Sequence, residues 1–504
     1  MRIVINRDDT KAVYLQIFEQ IRQQILSGEL IPGFTLPPER KLAESLGVNR
    51  TTVLNAYREL KAEGLIDSRV GKGTIVLSYP DSELSNATHY EEPVWDHTFS
   101  QYSGQFDPFM LKELLAIANR KDVISFATGI ASPESGPLQI FKGIEEEILN
   151  SNDYKALLHS PTEGFHSIRE SVCQLMHKRG VYCGIEEVML FSGSQQCIDI
   201  MARILLDPGD IVVVEEPSFF PAVQAFKSLG ARVMGVPMDD KGMRLDILEQ
   251  LLQRYRPKFI YTMPNFQNPT GLEMVLERRK GLYELARKYK VFIMEDDAYG
   301  DLSYDGMPLP LIKSMDNEGY VIYISTFSKS VYPGLRLGWM VAHKKIVQKC
   351  TALKQVMDIH SNSLSQWIIE RFIRSGDFDK HMKKSCNDYR IKRDAMYEAL
   401  LNYAPHDLKW HKPKGGYYFW CKLPNGILAS KLVLKAAEYK VAFVPGSTFF
   451  TSGEGEEYIR LNFTFASVPE IDEGIKRLCK AIRDLKESSD DEEAFNNIEM
   501  NPIV

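Results

Sequence analysis

The stretch from Val321 to Val341, VIYISTFSKSVYPGLRLGWMV, joins two short apolar runs through a polar segment with one lysine and one arginine. Its first run, Val321–Ser325, has the length and β-branched content of a buried strand. In open α/β sheets, ligands bind just beyond the carboxyl ends of such strands. There Lys329 can form a Schiff base and Arg336 can clamp a phosphate. The stretch therefore predicts an α/β domain that binds a ligand at the edge of its sheet.

Apolar runs elsewhere in residues 106–485 alternate with amphipathic helices, a pattern typical of an α/β domain with a mainly parallel sheet. The other predicted strands are Val188–Phe191, Ile211–Val214, Phe259–Met263, Val291–Met294 and Gly338–Val341. After about residue 375, two helical segments and short strands predict a smaller α+β lobe.

Chemically useful residues follow several of these strands. Ser194 and Gln195 open a helix, whose free N–H groups suit a phosphate. Phe219 has an aromatic ring that can stack on a flat ligand, and Asn268 can donate to a phenolate oxygen. Asp296 ends a buried strand, where a carboxylate is costly unless paired. A protonated pyridine nitrogen would pair with it.

Together these segments resemble the fold-type I pyridoxal-phosphate domain of the class I aminotransferase family over residues 106–485. The resemblance implies that pyridoxal 5′-phosphate forms an internal aldimine with Lys329, that Asp296 holds the pyridine nitrogen, and that Phe219 stacks on the ring. It implies that Asn268 and Tyr299 bind the 3′-oxygen. The residues implied to bind the phosphate are Ser194, Gln195, Thr326, Ser328 and Arg336.

Two further segments extend this resemblance. Residues 458–463, YIRLNF, match the family segment whose arginine binds a substrate carboxylate, which makes Arg460 the candidate carboxylate clamp. His159 opens the segment HSPTEG, which in the family usually starts with a tyrosine that reaches the phosphate of the neighbouring subunit. His159 either hydrogen-bonds in its place or loses that contact.

Residues 1–78 predict an α+β DNA-binding unit of three helices and a hairpin. The predicted elements are helices over 12–27, 38–46 and 49–64, followed by a hairpin around Gly71. The second and third helices, joined by Gly47-Val48-Asn49, have the spacing of a helix-turn-helix. Polar residues cluster at the start of the third helix, where base edges and phosphates are met.

Residues 14–76 closely resemble the GntR-type winged helix-turn-helix. Its landmarks here are Gly28, Pro32-Gly33, Arg40, Gly47-Val48, Arg50, Thr52-Val53, Ala56-Tyr57, Glu63-Gly64-Leu65 and Gly71 with Thr74. The resemblance implies that the DNA contacts come from Arg40, Asn49, Arg50, Thr52 and Arg69, with Gly71 at the tip of the wing.

Composition sets limits on the rest of the chain. The 504 residues exceed one ordinary domain, and the seven scattered cysteines contain no Cys-x-x-Cys pair. We therefore expect reduced thiols, no disulfide framework and no metal site. No apolar run reaches the roughly 18 residues of a transmembrane helix, and no signal peptide is evident, so a cytoplasmic protein is expected. The composition of residues 79–105 predicts a linker, and that of residues 486–504 predicts an acidic, disordered tail.

A GntR-type DNA-binding domain joined to an aminotransferase-like domain resembles the MocR subfamily of regulators. That family implies a homodimer, often arranged head-to-tail, that binds double-stranded operator DNA. We expect a transcription regulator that senses an amino-acid-like effector through an aldimine on Lys329. Two alternatives stay open: a working aminotransferase with an attached DNA-binding domain, and a sensor of pyridoxal phosphate itself, for which Arg460 would be dispensable.

Overall fold

The computed structural model describes residues 3, 5–6, 11–26, 30, 33–69, 73–77, 122–151 and 154–499, with backbone alone at 69 and 488–499. The chain divides into two compact units, Met1–Thr98 and Phe99–Val504. This division falls within the predicted linker, 79–105, which lies outside the described residues, as does Gly71.

The N-terminal unit combines helices with a small antiparallel sheet. Its helices are α1 (Val13–Leu26), α2 (Glu39–Leu46) and α3 (Arg50–Ala62). Its strands are β1 (Thr35–Leu36), β2 (Ile66–Arg69) and β3 (Gly73–Val76), in the order β1-β3-β2. Strand β1 adds a third strand to the predicted hairpin, in the stretch between the first two predicted helices.

Residues spaced by three or four build the core of this unit. Ile17 and Ile21 on α1 are fully buried, and they share a cluster with Val53 and Leu60 on α3. Gly47 ends α2 in the left-handed region at φ 63°, which a glycine adopts without strain. That turn sets α3 at an angle to α2, as a helix-turn-helix requires.

The C-terminal unit is built on an eight-stranded sheet with strand order β5-β12-β11-β10-β9-β6-β7-β8. Those strands are β5 (Val188–Phe191), β6 (Ile211–Glu216), β7 (Arg232–Asp239), β8 (Gly242–Met243), β9 (Phe259–Thr262), β10 (Phe292–Asp296), β11 (Val321–Thr326) and β12 (Gly338–Val341). Strands β6, β7, β9, β10 and β11 pair in parallel, and β12 is antiparallel to both of its neighbours. The α/β prediction is confirmed.

Helices cover this sheet and continue into the smaller lobe. They are α4 (Leu138–Asn150), α5 (His166–Lys178), α6 (Ser194–Leu205), α7 (Phe220–Ser228), α8 (Leu245–Arg254), α9 (Leu276–Tyr289), α10 (Lys344–Met357), α11 (Ser363–Arg374), α12 (Asp377–Tyr403), α13 (Ala429–Glu438) and α14 (Val468–Glu499). Every residue of β5, β9, β11 and β12 is buried. Burial on both faces explains why these strands are continuous apolar runs.

The smaller lobe contains a four-stranded sheet in the order β13-β14-β17-β16. Its strands are β13 (Lys409–Trp410), β14 (Tyr418–Lys422), β16 (Val444–Pro445) and β17 (Tyr458–Asn462). A parallel pair, β4 (Ile124–Ser125) with β15 (Val441–Ala442), ties it to the start of the unit. The predicted small α+β lobe is therefore present.

The sequence predicts a disordered tail over 486–504, and the described structure has helix over most of that segment. Helix α14 runs without a break to Glu499. Its first half is anchored by buried residues such as Ile475 and Ile482. A helix that is already nucleated and packed extends cheaply, because each further residue adds one hydrogen bond. Composition alone does not show that a packed helix leads into the acidic segment.

Candidate functional site

The carboxyl ends of β5, β10 and β11 lie side by side with the start of β12. Thr326, the last residue of β11, pairs with Gly338, and Gly338 pairs with Phe191 at the end of β5. Asp296, the last residue of β10, is level with Ile324 on β11. The segments that follow these strands therefore emerge along one edge of the sheet, where ligands of such folds bind.

Three consecutive acidic residues lie at and just after the end of β10, and two of them have both carboxylate oxygens in hydrogen bonds. Glu295 accepts backbone N–H bonds of 2.8 and 2.7 Å from residues 312–313. Asp297 accepts bonds from Asn265 (2.6 Å), Tyr323 (2.8 Å) and Arg179 (3.2 Å). Both carboxylates are therefore fully hydrogen-bonded within the protein. Of the three acidic residues, Asp296 alone can offer an oxygen to a ligand.

Asp296 has one oxygen in use and one without a partner. The Tyr261 hydroxyl donates to Oδ2 at 2.7 Å, whereas Oδ1 has no partner among the described residues. The side chain is only 1% exposed, and this burial raises the pKa of Asp296 to about 7 against the lowering effect of Tyr261. A protonated pyridine nitrogen supplies the missing donor and a compensating charge. The site therefore fits a pyridine-based cofactor.

Lys329 lies three residues beyond β11. Its Nζ donates to the carbonyl oxygen of Gly129 at 2.7 Å. Burial lowers the pKa of Lys329, and the charges of Arg460 and Arg336 act in the same direction. A lowered pKa favours the neutral amine, which is the form that attacks a carbonyl carbon. Lys329 thus has the chemistry expected of a Schiff-base lysine.

Arg460 is a buried cation with no carboxylate beside it among the described residues. It is 7% exposed, and its guanidinium donates to Asn268 Oδ1 at 2.9 Å and to the Ala127 carbonyl at 3.0 Å. Its Nε has no partner in the described part of the chain. The guanidinium also lies over the rings of Tyr418 (4.3 Å) and Phe449 (4.9 Å). Aromatic faces and neutral oxygens hold the group, but its charge is left for an anion.

Asn268 and Tyr299 join this cluster from two different loops. Because Asn268 uses its oxygen to bind Arg460, its amide nitrogen stays available as a donor. The Tyr299 hydroxyl lies 3.1 Å from that of Tyr418 and is buried. An amide and a hydroxyl of this kind suit the oxygen substituent of a pyridine ring.

The candidate phosphate cradle centres on Gly193, Ser194 and Arg336. Gly193 precedes helix α6 with φ 90°, and a Cβ built on it would lie 2.6 Å from Arg336 Nη2. Arg336 Nη2 donates to the Ser192 carbonyl at 2.9 Å. The first turn of α6 therefore points free N–H groups toward an arginine, an arrangement that suits a phosphate.

Hydroxyl groups from the segment after β11 complete the cradle. Thr326 Oγ1 lies 3.0 Å from Ser328 Oγ and accepts the Ser328 backbone N–H at 3.1 Å. The Gln195 side chain donates to the Pro221 carbonyl at 3.1 Å. The side-chain amide of Gln195 is therefore used within the protein, and its backbone N–H is the group that can bind a phosphate.

The two remaining sequence candidates have simpler surroundings. Phe219 precedes helix α7 and packs half-buried against the main core cluster. His159 is exposed, and its Nδ1 lies 2.9 Å from Nε2 of His360. Within the chain, His159 thus finds a histidine partner in a site where the family usually has a tyrosine.

Sequence analysis missed Tyr261, Tyr418 and the carbonyl of Gly129. Tyr261 carried a usable signal, because a hydroxyl in a central apolar strand needs a buried partner. Tyr418 follows two glycines, Gly415 and Gly416, that approach Phe266 closely. The Gly129 carbonyl gives no sequence signal, since any residue has one.

The helix-turn-helix residues are displayed on the surface of the N-terminal unit. Arg40, Asn49 and Arg50 are exposed and Thr52 is half-buried. Asn49 caps α3 by position but makes no side-chain capping bond, so its amide remains available. Arg69 ends strand β2.

Arg50 carries an internal partner that the sequence did not reveal. Its guanidinium donates to Glu39 Oε2 at 3.2 Å from Nε and 3.1 Å from Nη2. Glu39 opens α2, so the pair bridges the two helices of the motif. Because the arginine side chain is 70% exposed, a phosphate can compete for it.

Comparison with known families accounts for both units. The family model "Aminotransferase class I and II" matches residues 121–482, and "Bacterial regulatory proteins, gntR family" matches residues 13–76. The chain belongs to the aminotransferase class I and II family. Its GntR domain gives it the MocR architecture, and it is a GntR-type transcription regulator.

Relatives of this regulator include proteins of two kinds. The uncharacterized HTH-type transcriptional regulator YisV of Bacillus subtilis is 30% identical over 95% of this chain and 98% of its own. Aromatic-amino-acid aminotransferase 1 of Thermococcus litoralis is 40% identical over 78% of this chain and 96% of its own. The structure of a multiple substrate aminotransferase from Thermococcus profundus matches 78% of this chain and 100% of its own with a TM-score of 0.75 at 38% identity.

The cofactor of the regulator is pyridoxal 5′-phosphate, as these aminotransferase relatives indicate and as the donors around Asp296 allow. When bound, it supplies an electron-withdrawing ring and an aldehyde. Asp296 would hold the ring nitrogen, Lys329 the aldehyde carbon and Arg336 the phosphate. Among the described residues, no helix is both long and apolar enough to cross a membrane.

Asp296→Asn tests the electrostatic assignment in the cofactor-free protein. A carboxyl with a pKa near 7 when folded and about 3.9 when unfolded binds more protons in the folded state between those values. The folded parent therefore loses stability as the pH rises through that window. Because Asn does not titrate, the variant should gain on the parent by a few kcal/mol between about pH 5 and about pH 8.

Urea unfolding at the two pH values measures this difference. Asp199→Asn, on helix α6 beside Arg203, is the matched control and should show no comparable gain. A gain from Asp296→Asn that is the same at both pH values would contradict the assignment.

Arg50→Ala tests the DNA-contacting surface. Loss of one phosphate contact should weaken DNA binding and lower the slope of log affinity against log salt by about one. Arg58→Ala removes the same charge from the same helix, two turns further on, and should leave the slope unchanged. Fluorescence anisotropy on a selected DNA duplex gives both values. Equal slopes of log affinity against log salt for the parent and Arg50→Ala would show that Arg50 does not contact a DNA phosphate.

Proposed function

We propose that the regulator senses a small molecule bearing an amine and a carboxylate, and that binding of this effector changes its affinity for operator DNA. The observation that carries the proposal is Arg460. A guanidinium that is 7% exposed and lacks an acidic partner in the described part of the chain is costly without an anion. A ligand carboxylate supplies that anion.

The position of Arg460 also specifies the rest of the ligand. Arg460 and Lys329 influence each other electrostatically, and both are linked to the segment around Gly129, Arg460 through the Ala127 carbonyl. An amino acid placed with its carboxylate on Arg460 therefore has its amine near Lys329. Asn268, bonded to Arg460, connects this subsite to the cofactor ring.

Lys329 follows β11 of the eight-stranded sheet, whereas Arg460 lies on β17 of the smaller lobe. A ligand that bridges Lys329 and Arg460 therefore draws together the two parts of the unit. An effector shifts a conformational equilibrium only through its different affinities for the two states. We propose that the bridged arrangement is the state that alters DNA binding, in a cytoplasmic homodimer that reads a repeated operator sequence through its paired GntR domains. A head-to-tail exchange of those domains is part of the proposal.

The residues that support sensing also support a second candidate, a working aminotransferase. The 40% identity to an enzyme named for aromatic amino acids favours it. The two functions differ in one measurable respect. An enzyme passes the amine to a keto-acid acceptor, and a sensor need not.

The experiment measures the affinity of the full chain, loaded with pyridoxal phosphate, for duplex DNA selected from a random pool. One member of a panel of α-amino acids should change that affinity by about 5- to 150-fold, the usual range of coupling between sites. Lys329→Ala and Arg460→Ala should abolish the response. Arg477→Ala, which removes a half-buried arginine on α14, should retain it.

A response that survives unchanged in both site variants would overturn the proposal. A response to pyridoxal phosphate alone, kept in Arg460→Ala, would identify the cofactor itself as the signal. Conversion of many molecules of a keto-acid acceptor to the corresponding amino acid per protein molecule would establish that the chain is a working aminotransferase.

A further inference from the structure

Two thiols meet outside the cofactor site, between helix α5 and the segment that enters strand β5. Cys173 lies on α5, and Cys183 lies ten residues later in the connection to β5. Their sulfur atoms are 3.9 Å apart, and both side chains are partly exposed. By contrast, Cys197, Cys350, Cys421 and Cys479 are buried.

The two sulfur atoms differ in their electrostatic surroundings. The hydrogen bond from Cys183 lowers the pKa of Cys173, and the nearby Arg169 guanidinium lowers it further. The pKa of Cys183 is raised, first by that shared hydrogen bond and then by burial. Cys173 is therefore the more acidic thiol of the pair, and the Cys183 thiol donates a hydrogen bond to its sulfur.

Arg169 is held in place to act on Cys173. Its Nε donates to the Val188 carbonyl at 3.0 Å, and a second nitrogen bonds the Ile185 carbonyl. Its interactions with the carboxylates of Glu163 and Glu186 are long-range, since no ion pair forms between them and Arg169 in the described residues. The positive charge is thus fixed one turn of helix before the Cys173 sulfur.

The pair opens to solvent through a surface cleft of about 500 Å³ whose walls include Gln174, His177 and Tyr182. Tyr182 is 80% exposed. Gly180, with φ 79°, begins the irregular connection that carries Cys183. A disulfide needs the sulfur atoms to approach to about 2.05 Å, and Cys183 lies outside any helix or strand that would hold its backbone against that shift. Among the described residues no third ligand completes a metal site here.

We propose that Cys173 and Cys183 form a reversible dithiol–disulfide pair that is oxidised by hydroperoxides. The Cys173 thiolate attacks the peroxide oxygen, so that an S–O bond forms, the O–O bond breaks and the leaving alkoxide takes up a proton. The Cys183 sulfur then attacks the Cys173 sulfenic acid, forming the S–S bond and releasing water. Two thiols lose two electrons in total, and one peroxide is reduced to an alcohol and water.

The disulfide would join the middle of α5 to the residues that lead into β5. Strand β5 ends at Phe191, two residues before the Gly193 turn of the phosphate cradle. Oxidation would thus constrain a segment that leads directly to the cofactor site, without any chemistry at Lys329.

The test uses the full reduced chain treated with equimolar hydrogen peroxide. The seven thiols should fall to five, and mass spectrometry of a nonreducing digest should recover a peptide that joins Cys173 to Cys183. Dithiothreitol should restore the lost thiols. Cys183→Ser should instead leave a sulfenic acid on Cys173 that dimedone captures, and Cys173→Ser should prevent the loss.

Cys386→Ser is the matched control, because Cys386 is also partly exposed but donates to the Asp301 carbonyl. It should form the Cys173–Cys183 bond as fast as the parent does. At neutral pH, the parent Cys173 should react with iodoacetamide about tenfold faster than Cys386. A disulfide between other cysteines, a bond between two chains, or retention of all seven thiols would overturn the proposal.

Discussion

A carboxylate with an unsatisfied oxygen in the middle of a parallel sheet is the constraint on which the C-terminal unit depends. Asp296 is 1% exposed, and its Oδ1 has no partner in the described part of the chain. Its two acidic neighbours are fully bonded to other groups. A positively charged ring nitrogen placed beside Oδ1 would offset the energetic cost of burying this carboxylate.

Arg460 is also a buried ionisable group with an unpartnered polar atom, but its charge is positive. Tyr418 and Phe449 flank its guanidinium, and two neutral oxygens accept its protons. The site thus holds an acidic group, Asp296, and a cation, Arg460, each with one polar atom that lacks a partner among the described residues. Lys329 is the candidate nucleophile of the same site. Such a site suits a regulator and an enzyme equally well, because both must bind the same ligand. What distinguishes this chain from the aminotransferase relatives is the GntR domain at residues 13–76.

Much of the fold could be predicted because the strands of the C-terminal unit are buried on both faces. Their apolar runs predicted β5 and β12 at the residues where they lie. Strand β7, Arg232–Asp239, was not predicted, because most of its residues are exposed or half-buried and they form no continuous apolar run. The extension of α14 to Glu499 was missed, since composition does not show what a segment is attached to.

Sequence motifs identified the polar residues of the site but not their partners. Lys329, Asp296 and Arg336 follow strands at recognisable positions, whereas the Tyr261 bond to Asp296 joins residues 35 positions apart. The Gln195 side chain proved to serve the Pro221 carbonyl, and Arg50 proved to be paired with Glu39. Each of these contacts depends on three-dimensional placement that no local pattern encodes.

We expect the site to bind the amine and the carboxylate of one ligand together. This can be measured by titrating the cofactor's visible absorbance with matched pairs, each an α-amino acid and the amine that lacks its carboxylate. The effector amino acid should bind on the order of 10- to 100-fold more tightly than its amine, as expected for a charge-assisted bond to Arg460. Equal affinities for the two members of every pair would contradict this expectation.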